Sequence, residues 1–536
     1  LAYSLQFDLG FSLVPTLLPV SAMVLICLLK NGRYREIVVA VTISVGFYLL
    51  YGVKAAVAWF SVIQVAIVLW RLVRIGEFLF WLLVFLTGFE ATTLVHWVLL
   101  PFGVATPLAW FADLELALFY IIAPLAPLVV LVIILIVFLK LLKPQYLIIA
   151  IQFFRVLSPP EGELKEEEIR LHPQIFLIAS VVLSVVAALY PYSRYINPDR
   201  IAFGVDFHYY IDWMGSVTKD LYSAFTVANG SRPVVLWLIY GVQRISGLEF
   251  IDTIKYLPIL LNPLLVISVY FMVSRATKDW EWAVLASFFT TLGFTTTVGM
   301  YSYYLTNILA LILIFSAIGF LFNSLKTGCK ASLVLSFMLG SLTVFTHPWT
   351  FYQYYIVILF TAIYISRMNF EWYQYKMPYT FIFFLLITVI MDIMKNILFR
   401  GGDVSSFMIS IIPHLSGISN FWNSNIFAFR QRFGGLFSNT LFLGLVAFGS
   451  FKLNNKKIFQ LFLNLMLITS STFYIFADGI FQTRILFNIP FGILSSFCLL
   501  NLLRNTAVSR NIRFIGLIFT VEYMLIYMIR SVANLI

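Results

Sequence analysis

Long apolar stretches alternate with short polar breaks along the whole chain. Many of them approach or exceed the roughly 18 apolar residues that a helix needs to cross a bilayer. The pattern predicts an all-α polytopic membrane protein with roughly sixteen transmembrane helices. Spans are predicted near residues 11–30, 36–53, 55–70, 115–139, 282–298, 304–324, 331–346, 350–366, 379–398, 438–452, 458–476, 485–503 and 513–530, and also before PFGVATP, over IFLIASVVLSVVAALYP and before Arg275.

The composition indicates that lipid is the main solvent of this chain. Of its 536 residues, 61% are hydrophobic and the mean hydropathy is +0.95. Soluble domains are only about 45–50% apolar. The net charge of +11 comes mainly from cations at the ends of apolar stretches. Such cations anchor helix ends on the cytoplasmic side of a membrane, so this charge gives no reason to expect nucleic-acid binding.

The positions of lysine and arginine predict three regions and their sidedness. Residues 1–143 are expected to form a five-helix membrane module, residues 144–173 a cytoplasmic linker around SPPEGELKEEEIR, and residues 174–536 the main membrane core. Within the core, the loop 191–255 is predicted to lie outside the cell. Its VVLWLIYGVQRIS stretch is too short to span and suits a helix at the membrane interface. We therefore expect a multi-pass plasma-membrane protein.

This outer loop contains an unusual concentration of polar and aromatic residues, GVDFHYYIDWM, at positions 204–214. The chain as a whole is only 11% charged. The residues of interest in this stretch are Asp206, His208, Tyr209, Tyr210, Asp212 and Trp213. Because an aspartate is a simple base for a hydroxyl nucleophile, the stretch is a candidate reaction centre.

Three further features are predicted at the same outer face: the turn THPW, the segment 401–437, and FADGIFQTRILFNIP at the mouth of a late helix. Their residues of interest are His347, Trp349, Arg430, Arg432 and Arg484. Arginine binds phosphate through two parallel hydrogen bonds. Carboxylate, histidine and arginine above an apolar bundle therefore indicate a substrate that is part lipid and part sugar or phosphate.

Each of these side chains also has an ordinary structural role open to it. Asp206 and Asp212 could be solvated loop acids or helix caps. The aromatic residues could form an interfacial belt. His347 could serve only as a turn residue, and Arg484 could extend toward the membrane surface.

Two pairs of ionisable residues lie inside predicted spans. Asp392 and Lys395 are one helical turn apart and could simply pair with each other. Glu90 and His96 lie in the N-terminal module and are candidates for a separate function, because ionisable groups inside a membrane usually have one. They could equally hydrogen-bond neighbouring helices.

From the sixth predicted span onward, over residues 174–536, the chain resembles the GT-C superfamily of integral-membrane glycosyltransferases. Gly204-Val205-Asp206 with Tyr209-Tyr210 looks like the Gly-x-Asp motif of the first external loop in that superfamily. MYSYYLTNILALILIF, THPW and QTRILFNIP are similar to segments of archaeal-type members. The sequence departs from the pattern at Ser231-Arg232-Pro233, which stands where some members have His-Pro-Pro-Leu. The five N-terminal spans have no counterpart in the superfamily pattern.

The resemblance implies a GT-C-like core that transfers a sugar from a polyprenyl-phosphate carrier to an acceptor hydroxyl of a glycolipid, lipid-linked glycan or protein. It implies Asp206 as the general base and Arg484, with Arg430 or Arg432, as the phosphate-binding residues. The substrate pocket would include His208, Tyr209, Tyr210, Asp212, Trp213, His347 and Trp349. No metal or other cofactor is required by this scheme, although it is compatible with Mg²⁺ or Mn²⁺. The N-terminal helices offer a surface for a protein partner.

Two other functions remain open at the level of sequence. The first is a noncatalytic GT-C-like subunit of a membrane complex. The second is a secondary transporter, which would be built from related halves with broken helices and ionisable groups near the middle of the membrane. The sequence contains no convincing internal repeat, and its most prominent charges lie at helix ends or in loops.

Overall fold

The computed structural model describes residues 75–104, 108–122, 125–142, 172–230, 232–367, 377–399, 418–433, 439–454, 457–505 and 508–534. The predicted spans before residue 75 and residues 144–171 of the linker lie outside these ranges. The predicted division of the chain at this linker therefore stays a prediction. The chain has two compact units, Leu1–Phe89 and Glu90–Ile536, and every contact described below lies within the second.

The elements of the described residues are helices, as the hydrophobic pattern predicts. The first four are α1 (Ile75–Leu99), α2 (Ala109–Ile122), α3 (Ala126–Leu142) and α4 (Pro173–Leu189). Three shorter ones follow: α5 (Phe207–Val217), α6 (Pro233–Ser246) and α7 (Phe250–Tyr256). The others are α8 (Pro258–Thr277), α9 (Trp280–Leu292), α10 (Phe294–Ser302), α11 (Leu305–Thr327), α12 (Lys330–Val344), α13 (Pro348–Arg367), α14 (Met377–Phe399), α15 (Phe421–Ala428), α16 (Thr440–Lys452), α17 (Ile458–Phe476), α18 (Gly479–Asn488), α19 (Phe491–Leu503) and α20 (Arg510–Ala533).

Within the described residues, nine helical segments are long and apolar enough to cross a membrane, and the bent pair α18–α19 would make a tenth. They are Phe80–Phe102, Pro173–Tyr192, Phe250–Thr277, Trp280–Ser302, Leu305–Thr327, Pro348–Ser366, Tyr379–Leu398, Ile458–Phe476 and Arg510–Ala533. The prediction of an α-helical multi-pass membrane protein is confirmed. The predicted total of sixteen spans includes segments outside the described residues and stays a prediction.

One predicted span is bent in the structure. The span predicted at 485–503 bends by 49° between α18 and α19. Pro490 lies at this bend, and proline cannot donate the backbone hydrogen bond that would continue a helix. The hydrophobic pattern does not show this bend because the residues around it are apolar. The span predicted at 115–139 includes residues 123 and 124, which lie outside the described residues, so its continuity stays a prediction.

Helices α9, α10 and α11 form the centre of the bundle. In the most apolar 18-residue stretch of Trp280–Ser302, 94% of the residues are buried, and in that of Leu305–Thr327 the share is 83%. In the corresponding stretch of Tyr379–Leu398 only 33% are buried. Helix α9 packs against α4, α8 and α19, and α11 packs between α8 and α12. The less buried helices present apolar side chains outward, as expected where lipid replaces water.

Polar contacts and close backbone packing join these helices. The indole Nε1 of Trp282 on α9 donates to the Ile493 carbonyl of α19 at 3.1 Å. Gly449 on α16 lies so close to α19 that a Cβ atom there would be 2.0 Å from the Leu494 carbonyl oxygen. Small residues permit such approaches between membrane helices. Helix positions around the site below are therefore set by packing across the bundle.

The connection between α4 and α8 contains α5, α6 and α7, which contact one another. The sequence predicted a short helix over VVLWLIYGVQRIS, and α6 covers this stretch. It begins at Pro233, whose missing N–H costs nothing in a first turn, and ends before Gly247, which adopts a left-handed φ of 70°. The position of α6 at a membrane interface stays a prediction.

Candidate functional site

The turn before α5 is attached to the end of α10. The Asp206 amide donates to the Ser302 carbonyl at 3.2 Å. Gly204 has a φ of 114°, and a Cβ atom at this position would lie 2.5 Å from the Tyr303 ring. Tyr303 is itself buried and left-handed, with a φ of 58°. Glycine is required at 204 because both its conformation and the adjacent ring exclude a side chain.

Asp206 occupies the N-cap position of α5, but its carboxylate makes no capping hydrogen bond. It also takes part in none of the ion pairs found among the described residues. Burial raises the pKa of the Asp206 carboxyl above its ordinary value, and the positive charges of Arg484, Arg232 and Arg432 oppose this rise without cancelling it. The carboxylate is half-buried, and its oxygens are not used to cap the first turn of α5.

Three arginines act electrostatically on this carboxylate, and each is held over an aromatic ring. Measured from guanidinium carbon to ring centroid, the pairs are Arg232 with Trp213 at 4.9 Å, Arg432 with Tyr301 at 5.9 Å, and Arg484 with Tyr304 at 5.5 Å. Stacking on a ring orients a guanidinium and leaves its in-plane N–H groups directed sideways. The site is therefore built to hold positive charge in fixed directions.

The positive charges exceed what Asp206 alone can balance. Burial lowers the pKa of the Arg232 guanidinium, and the like charge of Arg484 lowers it further, while Tyr210 and Asp206 oppose the decrease. An anionic group placed among these arginines would reduce their mutual repulsion and replace the lost hydration. The electrostatics of the site thus favour an anionic ligand.

A buried row of polar side chains supports Arg484. Its Nη1 lies 3.3 Å from Nε2 of His347, whose Nδ1 lies 2.9 Å from the Thr350 hydroxyl. That hydroxyl donates to Oδ1 of Asn488 at 3.1 Å, and Nδ2 of Asn488 donates to Oε1 of Gln353 at 3.0 Å. The row connects α13 with α18. It sets the direction of Arg484 through His347, Thr350 and Asn488, which are buried.

His347 is neutral in this arrangement. Its Nε2 faces the Arg484 guanidinium, and its Nδ1 faces both the hydroxyl and the backbone N–H of Thr350. Burial and the positive charges of Arg232, Arg484 and Lys395 hold the pKa of the His347 imidazole well below its ordinary value. The residue therefore adds no charge and supports Arg484 by its geometry.

Of the other predicted site residues that the structure describes, some pack against neighbouring side chains and others are exposed. Tyr210 is fully buried, and its hydroxyl accepts from the Thr306 amide at 3.1 Å. Trp349 packs edge-on against Phe481 with centroids 4.8 Å apart. Three others are exposed on α5: His208, Tyr209 and Asp212. The Arg430 side chain lies outside the described part of the chain. Substrate contact by any of these residues stays a prediction.

Arg232 was not among the site residues expected from the sequence. There it appeared only as part of a departure from the superfamily pattern. Its guanidinium lies over Trp213 and acts on Asp206 and on His347. Tyr304 and Asn488, which position Arg484, were missed as well. An arginine directly before the first proline of a short predicted helix was the available signal for Arg232.

An apolar groove with a volume of about 360 Å³ lies on the connection between α4 and α8. Its lining residues are Leu221, Tyr222, Phe225, Trp237 and Tyr240. Trp237 is held in place by a hydrogen bond from its Nε1 to the Leu221 carbonyl at 3.3 Å. Ring faces of this kind suit a sugar ring or an apolar chain.

The described residues contain no group of three or more His, Cys, Asp or Glu side chains that could hold a metal ion. No protein-family model matches this chain, and no curated protein is significantly similar to it. The function must therefore be argued from the geometry and charge of this site.

Proposed function

We propose that this protein is a membrane glycosyltransferase that moves a sugar from a polyprenyl-phosphate carrier to an acceptor hydroxyl on the extracytoplasmic face. One observation carries the proposal: an uncapped, half-buried carboxylate at Asp206 lies in the field of three arginines at the end of an apolar helical bundle. A carboxylate can accept a proton from a hydroxyl, and arginines can bind a phosphate. A lipid-linked sugar phosphate matches this site, because its phosphate can bind to the arginines and its apolar chain can lie along the helices.

In the proposed reaction, the acceptor oxygen attacks the anomeric carbon of the sugar and forms the new glycosidic bond. The bond between that carbon and the phosphate oxygen breaks, and its electrons leave with the polyprenyl phosphate. Asp206 receives the acceptor proton. Because the acceptor attacks in a single step from the face opposite the departing phosphate, the configuration at the anomeric carbon is inverted. Arg484 and Arg432 stabilise the negative charge on the departing phosphate. Burial of Asp206 suits this role because a raised pKa makes its carboxylate a stronger base.

The surrounding residues have supporting roles in this scheme. His347 holds Arg484 through the 3.3 Å contact described above. Trp213, half-buried beneath Arg232, offers a ring edge to the sugar. The helices below the site supply the apolar surface along which a prenyl chain would lie. The groove beside Trp237 is a second surface for the sugar or the acceptor.

The direct test uses the protein in vesicles supplied with a polyprenyl-phosphate sugar and a hydroxyl acceptor. We expect Asp206→Asn to lower the transfer rate by about 10²–10⁴-fold, because proton transfer by a positioned side chain contributes about that much. The matched control is Asp199→Asn, which changes an exposed aspartate of the same connection. Equal activity of the two variants would exclude Asp206 as the base. A stable protein complex that works equally well with Asp206→Asn would indicate a noncatalytic subunit instead.

A secondary transporter is the second candidate, favoured by the buried ion pair between Glu115 and Arg530. Intramembrane charges of this kind often mark transport pathways. Sealed vesicles distinguish the two functions. Uptake of a solute in the absence of any lipid-linked donor would support transport, whereas transfer of a labelled sugar to a hydroxyl acceptor would support the glycosyltransferase.

A further inference from the structure

A second cluster of ionisable side chains lies inside the bundle, on α1, α2 and α20. Glu115 of α2 and Arg530 of α20 form an ion pair between Oε1 and Nη1, with only 5% and 1% of their side chains exposed. Glu90 of α1 is 6% exposed. The charged side chains that act on Glu90 are Glu115, Arg530 and Glu522. The proposed glycosyl transfer uses none of these residues.

The carboxylate of Glu90 is poorly satisfied. Among the described residues, its Oε2 is buried and has no hydrogen-bond partner, and the same is true of Oε2 of Glu115. The guanidinium of Arg530 directs one of its nitrogens to Glu115 rather than to Glu90. Glu90 therefore faces a second carboxylate whose own oxygen is incompletely bonded.

The charge balance decides what Glu90 must bind. Two carboxylates on Glu115 and Glu522 and one guanidinium on Arg530 act on it, so an ionised Glu90 would add a further negative charge to an already acidic group. An uncompensated carboxylate inside a membrane is costly, and one of two neighbouring carboxylates normally holds a proton. The described residues offer no metal-ligand group here.

We propose that Glu90 is a proton-binding site within the membrane, at the junction of α1, α2 and α20. In the folded protein its carboxyl is protonated, while Glu115 remains ionised against Arg530. The other titratable groups that act on Glu90 or on which it acts are Glu522 and Tyr523 on α20. His96 lies six residues further along the same helix. The proton makes Glu90 neutral, and its O–H can then donate to an under-bonded carboxylate oxygen.

Labelling of the intact protein in lipid vesicles with N,N′-dicyclohexylcarbodiimide tests this proposal. In the reaction, a carboxyl oxygen bonds to the carbodiimide carbon and the acid proton moves to a carbodiimide nitrogen. This apolar reagent consequently selects protonated carboxyls in apolar surroundings. We expect mass spectrometry to find the adduct on Glu90, and its yield to fall as the pH is raised.

Glu281 is the matched control, because it is a buried glutamate whose Oε2 lies 2.6 Å from Arg504. It should remain unlabelled under conditions that label Glu90. Absence of the adduct on Glu90, or equal labelling of Glu281, would overturn the proposal.

An infrared measurement keeps the test independent of the reagent and of transferase activity. The spectrum should show the C=O stretch of a protonated carboxyl, and this band should disappear in Glu90→Gln but persist in Glu281→Gln. Glu90→Gln should also fold, because a neutral amide resembles the protonated acid. A native spectrum without the band, or a large loss of thermal stability in Glu90→Gln, would mean that Glu90 is ionised and paired. The proposed function does not depend on the outcome of these labelling and infrared tests. Conversely, a protein without transferase activity could still give the expected labelling and infrared results.

Discussion

The clusters around Asp206 and around Glu90 both contain carboxylate and arginine, yet their balance is opposite. At Asp206 one carboxylate lies in the field of three arginines that are stacked on aromatic rings. At Glu90 several carboxylates surround one arginine inside apolar helices. An excess of positive charge around a half-buried carboxylate suits an anionic ligand, whereas an excess of carboxylate buried between apolar helices suits a proton. The same residue types thus indicate different chemistry because their numbers and their access to water differ.

The largest effect is expected from breaking the ion pair in the cluster around Glu90. Glu115→Gln removes the carboxylate that faces Arg530, and removing one partner of a buried ion pair costs about 3–5 kcal/mol. Thermal unfolding in detergent measures the loss. Glu90→Gln, at the same junction, should change the unfolding temperature far less. Similar losses in the two variants would remove the distinction between an ionised Glu115 and a protonated Glu90.

The next effect concerns the cluster around Asp206 and the proposed transfer reaction. Arg484→Ala should lower the transfer rate by about 10²–10³-fold, since one fixed donor to a developing negative charge contributes about that much. Arg484→Lys should recover part of the rate, because lysine keeps the charge but loses the planar fork. The transfer rates of the two variants, measured in vesicles that contain a lipid-phosphate sugar, test both expectations. Arg194→Ala, which changes an exposed arginine of the connection between α4 and α8, is the control and should remain active.

A smaller effect is expected for the residue that holds Arg484. His347→Ala removes the 3.3 Å contact and should lower kcat/KM by up to about 10²-fold, which is the usual cost of a misplaced catalytic group. His347→Gln should retain more activity, because its amide oxygen can still accept from Arg484. Comparison of kcat and KM in the two variants distinguishes a role of His347 in positioning Arg484 from a role in the folding of the protein. Equal losses would show that His347 serves packing alone.

The smallest expected effect is a shift in the pH dependence of transfer. Asp206 must be ionised to accept a proton, so the rate should rise with pH through its pKa, which lies above the ordinary value. Arg232 lowers that pKa, so Arg232→Gln should move the acid limb of the kcat/KM profile to higher pH. Arg194→Gln, at an exposed arginine of the same connection, should leave the acid limb in place. A shift toward lower pH in Arg232→Gln would contradict the proposed role of Asp206.

The hydrophobic pattern predicted helices and membrane spans well, because burial in lipid depends on local composition. It failed to show the bend at Pro490, since the residues around the bend are apolar. Among the site residues, the pattern pointed to Asp206, His347 and Arg484, each in a polar interruption of an apolar region. Arg232 and Asn488 went unnoticed because a single arginine or asparagine beside a helix has many ordinary roles.

By itself, the sequence determined that this protein is helical, that lipid is its main solvent and that its unusual polar residues concentrate in a few short stretches. These properties follow from composition and from periodicity over neighbouring residues. Only the tertiary structure decided that Arg484 contacts His347, 137 residues away, and that Glu115 pairs with Arg530 across 415 residues. Such pairings depend on how helices pack, and packing is set by side-chain shape across the whole bundle. Local sequence contains no record of those distances.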